Sequence, residues 1–188
     1  MRIIGGRVGG RTLKAPKGVG TRPTSDKVRQ AIFNILVARG DPPLKVLDLY
    51  AGSGALGLEA LSRGAGGALF VEADGDACDL VRANAEALGL RADVKCSPVV
   101  RWLVKEAGPA YGWIFLDPPY ESHETGELDK ALELIAEKRL LDGDGLVVAE
   151  HEWRNAPEDR YGPLALFDRR RYGQTAVSFY RREEDHAG

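Results

Sequence analysis

Short apolar runs alternate with helix-patterned segments along residues 44–150. The apolar runs predict buried strands, which cover 45–50, 68–72, 93–96, 111–116 and 145–150. Apolar positions at helical spacing predict helices between them, which cover 58–63, 76–88, 99–106 and 127–138. Because strands alternate with helices, we expect a mainly parallel sheet with helices on both faces.

Further elements flank this alternation. Ser25 is a predicted N-cap for a helix over 26–39, whose apolar stripe includes Val28 and Ile32. Near the C-terminus, runs at 164–171 and 175–180 are joined by a tight turn and predict an antiparallel hairpin. The sequence therefore predicts one Rossmann-like α/β domain whose sheet ends in that hairpin.

The first 24 residues differ in composition from the rest of the chain. They are rich in Gly, Arg and Pro, which predicts loops with at most a short hairpin. We divide the chain into a small basic N-terminal arm (1–24), the α/β domain (25–182) and a C-terminal tail (183–188).

Charge is distributed unevenly along the chain. The net charge is −2, yet residues 1–30 hold eight Lys and Arg against Asp26 alone, which gives +7 there and −9 over the remainder. A basic arm on an acidic body predicts a polyanionic partner at one end of the molecule, and a tail kept charged for solubility is the alternative. The candidate polyanion-binding residues are Arg2, Arg7, Arg11, Lys14, Arg22, Lys27 and Arg29.

Composition excludes some classes of protein. Hydrophobic residues make up 44% and charged residues 29% of the chain, as in soluble globular proteins. No apolar run approaches membrane-spanning length, and the N-terminus lacks the apolar stretch of a signal peptide. Cys78 and Cys96 lack metal-ligand spacing, so we expect reduced thiols in a cytoplasmic protein without a bound metal.

A glycine-rich loop, Gly52 to Gly57, has the pattern G-x-G-x-x-G between a predicted strand and a predicted helix. Glycines permit a tight turn and let the backbone approach a ligand closely. Glu72 ends the next strand, where its carboxylate can accept hydrogen bonds from ribose hydroxyls. These features suit a nicotinamide dinucleotide as well as S-adenosylmethionine.

Two features separate these cofactors. Asp48 lies just before the glycine loop, where it can face an ammonium or a sulfonium, which S-adenosylmethionine has and a pyrophosphate lacks. Asp117-Pro118-Pro119-Tyr120 follows the apolar run 111–116, and its two prolines end the strand in a stiff loop. A hydride-transfer enzyme has no use for this loop, whereas a methyltransferase acting on an exocyclic amine does.

The four-residue loop suits an amine whose lone pair is delocalised into a nucleobase. Asp117 and the Pro118 carbonyl can accept its two N–H bonds and direct the lone pair at a donor methyl, while Tyr120 stacks on the base. This transfer needs no covalent nucleophile. A pyrimidine C5 methyltransferase does need a positioned cysteine, and neither Cys78 nor Cys96 occupies the expected loop. We assign Asp117, Pro118, Pro119 and Tyr120 as candidate catalytic residues.

The sequence resembles the RsmD-type family of bacterial methyltransferases that act on guanine N2 of 16S ribosomal RNA. The resemblance spans Arg2 to Tyr180 and includes the glycine loop and the Asp-Pro-Pro-Tyr loop. Its more specific part is N-terminal and consists of Arg2 to Gly6, Gly10-Arg11, Arg22 to Asp26 and Val28 to Asn34.

The resemblance implies a class I methyltransferase fold with a seven-stranded sheet. It implies that Glu72 holds the cofactor ribose, that Asp117 and Tyr120 hold the target guanine (position 966 of the rRNA), and that the substrate is 16S rRNA, alone or in a small-subunit assembly intermediate. A monomer is the expected state. The candidate residues for S-adenosylmethionine are Asp48, Ala51, Gly52, Ser53, Gly54, Gly57, Glu72, Ala73, Ser97 and Asp117.

One position departs from the family pattern. After the third strand, such enzymes place an acid or amide that meets the adenine amino group, but this chain has Ser97-Pro98. Pro98 has neither a side-chain acceptor nor an N–H. The adenine contact must therefore come from Ser97 or from the backbone.

Other interpretations stay open at this point. The same loop type serves adenine-N6 DNA methyltransferases, although the chain has no evident domain for recognising DNA. A nonenzymatic RNA-binding assembly factor would keep the fold without binding the cofactor. An oxidoreductase rests on the glycine fingerprint alone. The arginines at 169–171 and 181–182 extend a phosphate-binding face or protect an exposed edge strand.

Overall fold

A computed structural model describes residues 1–15, 25–106, 110–119 and 126–183. Its helices are α1 (Asp26–Val37), α2 (Ala55–Ser62), α3 (Gly75–Leu88), α4 (Val99–Lys105) and α5 (Glu127–Glu137). Its strands are β1 (Val46–Leu49), β2 (Ala68–Glu72), β3 (Asp93–Cys96), β4 (Tyr111–Leu116), β5 (Leu141–Glu152), β6 (Arg160–Tyr161), β7 (Leu164–Tyr172) and β8 (Thr175–Arg182).

The strands form one sheet in the order β3-β2-β1-β4-β5-β8-β7-β6. Strands β1 to β5 are parallel, and β8, β7 and β6 continue the sheet as antiparallel strands. The mainly parallel sheet and the C-terminal hairpin are therefore confirmed. The expected count of seven strands is wrong, because β6 adds an eighth: Arg160 and Tyr161 fold back onto Ala165 and Leu164.

Helices cover both faces of the sheet, as expected for a parallel β-α alternation. Helices α1, α2 and α3 contribute to the apolar core on one face, and α4 and α5 to the core on the other. Phe33 of α1 anchors the first core, with its ring centroid 6.1 Å from that of Trp113 and 5.7 Å from that of Phe115. The predicted N-cap is confirmed, since the Ser25 hydroxyl accepts a hydrogen bond from the Val28 amide at 3.3 Å.

The described part of the N-terminal arm is packed onto the domain. Ile3 and Leu13 are buried in the core beside α1 to α3. A single antiparallel bridge joins Arg2 and Thr12, which corresponds to the short hairpin predicted in this stretch. Residues 1–15 are thus a docked segment with exposed cations rather than a detached tail.

Glu59 and Ser62 of α2 hold this segment. The fully buried Glu59 carboxylate accepts the amides of Ile4 at 2.7 Å and Gly5 at 2.8 Å. Ser62 donates to the Gly5 carbonyl at 2.6 Å. Since buried carboxylates require hydrogen-bonding partners, this arrangement fixes the segment in one position on α2.

The two cysteines form a disulfide, so the expectation of two reduced thiols is wrong. Cys78 lies in α3 and Cys96 ends β3, and their Cα atoms are 6.1 Å apart. This separation is within the usual range for a disulfide. Their separation of 18 positions in sequence conceals this proximity, which arises because α3 packs beside β3.

Among the described residues, no helix is both long enough and apolar enough to cross a membrane.

Candidate active site

The glycine loop and the proline loop leave the sheet side by side. Strand β1 pairs with β2 and β4, so that Leu49 lies opposite Val71 on one side and Leu116 on the other. The residues that follow these three positions therefore emerge together at the carboxyl edge of the sheet. This is the edge at which open α/β sheets bind ligands.

The glycine loop has the conformation that its sequence predicts. Gly52 and Gly54 have φ values of +54° and +78°, in the left-handed region that favours glycine. Gly57 is required for a different reason, because a Cβ there would lie 2.4 Å from the Phe70 ring. At Gly52 and Gly54 the loop therefore brings main-chain atoms to the carboxyl edge without a Cβ over them.

Glu72 holds this loop in place. Its Oε2 accepts the Gly52 amide at 2.8 Å, and its Oε1 accepts the amides of Ala73 at 2.7 Å and Asp74 at 2.9 Å. A carboxylate offers about four acceptor positions, and these amides use three of them. Glu72 can therefore receive both hydroxyls of a ribose only if at least one of these amides moves away.

Asp48 is buried beneath the glycine loop. Its Oδ2 accepts the Gly57 amide at 2.8 Å, which fixes the first turn of α2. Burial raises the pKa of Asp48 well above its usual range; the Gly57 hydrogen bond opposes this, and the charges of Asp117 and Glu72 add to it. A bound cation would compensate this carboxylate, so the site suits the ammonium or sulfonium of S-adenosylmethionine.

The remaining cofactor candidates surround the same loop. The Ser97 amide donates to the Glu72 carbonyl at 2.8 Å, which places Ser97 next to the expected ribose site. Ala51 and Ser53 are buried within the loop, and Ser53 contacts the Met1 sulfur at 3.5 Å. All the cofactor candidates thus lie along the ends of β1, β2, β3 and β4.

The described part of the Asp-Pro-Pro-Tyr loop follows β4 directly. Pro118 is buried, Asp117 is half-buried and Pro119 is exposed. The pairing of β1 with β4 brings this loop and the glycine loop to the same edge of the sheet, where the charge of Asp117 contributes to the raised pKa of Asp48. Tyr120, the fourth predicted catalytic residue, lies outside the described residues.

Two residues of this region have contacts that no sequence pattern predicted. Tyr50 adopts a left-handed backbone with φ of +60°, rare for a residue other than glycine, and donates from its hydroxyl to Glu127 Oε1 at 3.1 Å. Burial and the Glu127 carboxylate raise the pKa of Tyr50, so its proton stays in place. This contact joins the cofactor loop to the start of α5, and the unusual φ is not visible in the sequence.

Asn84 is the second missed residue. It is buried in α3, and its Nδ2 donates to the Ser53 carbonyl at 3.0 Å and to the Lys14 carbonyl at 3.1 Å. It therefore connects the N-terminal arm to the cofactor loop. A lone Asn on a helix gives no sequence signal for such a role.

The candidate RNA-binding cations differ in how far their side chains are exposed to solvent. Those with exposed side chains are Arg2, Arg7, Arg11, Lys14 and Lys27, and Arg22 lies outside the described residues. Arg29 is fully buried, where it pairs with Asp26 at 2.8 Å and donates to the Arg2 carbonyl. Its assignment to direct RNA contact is therefore wrong, because its guanidinium fastens the arm to α1.

Comparison with known proteins identifies the family. The family model described as "Conserved hypothetical protein 95" matches residues 1–181. Ribosomal RNA small subunit methyltransferase D of Escherichia coli K12 is 36% identical over 184 residues, which are 97% of this chain and 90% of that protein. The chain belongs to the RsmD-type methyltransferase family.

Solved structures agree with this membership of the RsmD-type family. The yhhF protein of Escherichia coli has a TM-score of 0.85 and 35% identity, covering 97% of this chain and 98% of its own. A hypothetical protein of Thermus thermophilus has a TM-score of 0.80 and 34% identity, covering 96% of this chain and 99% of its own. The fold is the class I methyltransferase fold, with β6 as an additional edge strand.

No cluster of three or more potential metal ligands occurs within the described ranges.

Proposed function

We propose that this RsmD-type protein transfers a methyl group from S-adenosylmethionine to N2 of a guanine in 16S rRNA, at the position equivalent to 966. The observation that carries the proposal is the pairing of β1 with β4, which sets the glycine loop and Asp117 side by side. The relative named Ribosomal RNA small subunit methyltransferase D supports the choice of rRNA.

The chain would bind the cofactor with groups at the ends of β1, β2 and β3. Glu72 would accept the ribose, Asp48 would balance the cationic side, and the backbone around Ser97 would meet the adenine. When bound, S-adenosylmethionine supplies an electrophilic methyl group. The residues fit this role, since Gly52 and Gly54 have no side chain to cover the loop and the described contacts of Asp48 include no compensating cation.

Asp117 and the Pro118 carbonyl would orient the target amine. Two acceptors that bind both N–H groups leave the lone pair directed away from them, toward the methyl donor. The rigid prolines fix this geometry. We place Tyr120 on the face of the base, as base–aromatic stacking is expected to contribute about 1–3 kcal/mol.

Methyl transfer to under-methylated small subunits tests the proposal. Asp117→Ala should lower the transfer rate by about 10- to 100-fold, because it removes a charged hydrogen-bond acceptor worth about 1.5–3 kcal/mol. Asp144→Ala is the matched control, since Asp144 is an exposed acid near the start of β5, away from the carboxyl edge. A rate for Asp117→Ala within a few-fold of wild type would show that the mechanism is wrong.

Two other functions give different results in simple assays. An adenine-N6 DNA methyltransferase would prefer DNA when DNA and small subunits compete for the same enzyme. A nonenzymatic assembly factor would show no heat of S-adenosylmethionine binding by calorimetry. The described contacts of Asp48 and Glu72 favour an intact cofactor site, and hence an enzyme.

A further inference from the structure

A cavity of about 360 Å³ is lined by residues of α1, β5 and the β7–β8 hairpin. It lies between the start of α1 and the turn that joins β7 to β8. Its polar and aromatic lining comes from Ser25, Lys27, Glu150, Arg171, Tyr172 and Thr175. A volume of this size is typical of a small-molecule subsite.

The sheet register places this cavity next to Asp117. Ala149 of β5 pairs with Leu116 of β4, so Glu150 is one strand away from Asp117. Neighbouring strands are about 4.8 Å apart. Strand β5 runs on to Glu152 and pairs there with Thr175, so β5 and the β7–β8 turn form a wall beyond the Asp-Pro-Pro-Tyr loop.

Arg171 is held in position at the rim of the cavity. Its Nε donates to the Gly173 carbonyl at 2.7 Å, and its guanidinium carbon lies 5.0 Å from the centroid of the Trp153 ring. A guanidinium fixed by stacking and by one hydrogen bond loses less side-chain freedom when it binds a phosphate. The remaining donors of this exposed side chain can face a ligand.

The charges of the cavity favour one orientation of a nucleotide. Lys27 and Arg171 are exposed cations, and Glu150 is the one carboxylate among the described residues that line the cavity. A phosphate would be attracted to the two cations. The ring of Tyr172 and the hydroxyls of Ser25 and Thr175 offer stacking and hydrogen bonds to the nucleoside.

We propose that this cavity binds a nucleotide adjacent to the methylated guanine in the RNA strand, with its phosphate on Lys27 and Arg171 and its base on Tyr172. The proposal rests on the proposed function and adds a second contact region to the N-terminal arm. Grooves that combine cations with an aromatic ring are typical of single-stranded nucleic-acid sites. Extrusion of a target base exposes its neighbours to such a site.

The experiment compares Lys27→Ala/Arg171→Ala with Arg101→Ala in methyl transfer to under-methylated small subunits. Arg101 is an exposed cation on α4, on the opposite side of the sheet, and serves as the control for loss of a surface charge far from the cavity. The double variant should raise KM about 10-fold or more at unchanged kcat. The salt-dependence slope of its RNA binding should also fall by about 0.7, because the variant loses its contact with one phosphate of a single strand.

Calorimetry with S-adenosylmethionine checks that each variant is folded. Each variant should bind S-adenosylmethionine with the affinity of the wild type. Tyr172→Ala should raise KM, whereas Tyr172→Phe should keep the KM of the wild type, because stacking needs only the aromatic ring. A double variant whose KM and salt slope equal those of Arg101→Ala overturns the subsite while the enzyme remains active. A wild-type protein that transfers no methyl group to rRNA overturns the proposed function, and the subsite with it.

Discussion

The side chain of Asn84 forms a pair of hydrogen bonds with the main chain of Lys14. Its Oδ1 accepts the Lys14 amide at 2.9 Å, and its Nδ2 donates to the Lys14 carbonyl at 3.1 Å. The same Nδ2 also donates to the Ser53 carbonyl in the cofactor loop. One buried amide therefore holds both the basic arm and the loop that is proposed to bind the methyl donor.

Replacing Asn84 with Ala should weaken both elements. Loss of the amide leaves backbone groups unsatisfied, which we expect to lower the free energy of unfolding by about 1–3 kcal/mol. It should also weaken S-adenosylmethionine binding, because the carbonyl of Ser53 loses its anchor. Thermal unfolding and calorimetry measure these effects. Glu86→Ala on the exposed side of α3 is the control, and equal results for the two variants would contradict a role for Asn84.

Cofactor binding should depend on the protonation of Asp48. Burial raises the pKa of Asp48, so the carboxyl of the unliganded protein holds its proton to a higher pH than usual. A cation beside Asp48 favours the ionised form, so binding should release a proton and become tighter as pH rises through that raised pKa. Calorimetry in buffers of different ionisation enthalpy measures the released proton. Asp48→Asn should abolish this pH dependence, and a wild type that releases no proton would exclude the contact.

The contacts of Glu72 predict a local rearrangement when the ribose binds. Three amides already use its carboxylate, so two ribose hydroxyls must displace at least one of them. In an NMR titration with S-adenosylhomocysteine, the amide signals of Gly52, Ala73 or Asp74 should therefore shift. The Gly143 amide, which donates to Asp142 at 2.8 Å, is the control for a carboxylate-bound amide away from the site. Unchanged signals from all three amides would place the ribose elsewhere.

Reduction of the disulfide should make the domain less stable. A cross-link that spans 18 residues restricts the unfolded chain by about 3 kcal/mol on the loop-entropy account. Thermal unfolding with and without a reductant measures the difference, and Cys96→Ser should unfold like the reduced protein under both conditions. Mass spectrometry after alkylation of the native protein should show the linked peptides of Cys78 and Cys96. Full alkylation of both thiols without prior reduction would refute the cross-link.

Local sequence signals were sufficient for most of the fold and for the conformation of the glycine loop. The strand over 68–72 and the strand over 111–116 were predicted with the bounds that the structure shows. The glycine loop was predictable because its conformation requires glycine at Gly52 and Gly54. These features depend on neighbouring residues alone, which is why the pattern of the chain predicts them.

Features that depend on distant contacts could not be predicted. Strand β6 has only two residues, too few for a periodic pattern, and exists through its pairing with β7. The Glu59 carboxylate meets Ile4 across 55 residues, and Cys78 meets Cys96 through helix packing. Arg29 was expected on the surface because it is charged, yet its partners at Asp26 and Arg2 make burial possible.

Mapping the modified base tests the central claim most directly. Small subunits from cells that lack this protein, and rRNA purified from them, should be incubated with S-adenosylmethionine and either the wild type or Asp117→Ala. The rRNA should then be digested and analysed by mass spectrometry. We predict a single N2-methylguanine that the wild type forms and Asp117→Ala forms at least about 10-fold more slowly. A methyl group found on adenine N6, or no methylated base at all with the wild type, would contradict the account.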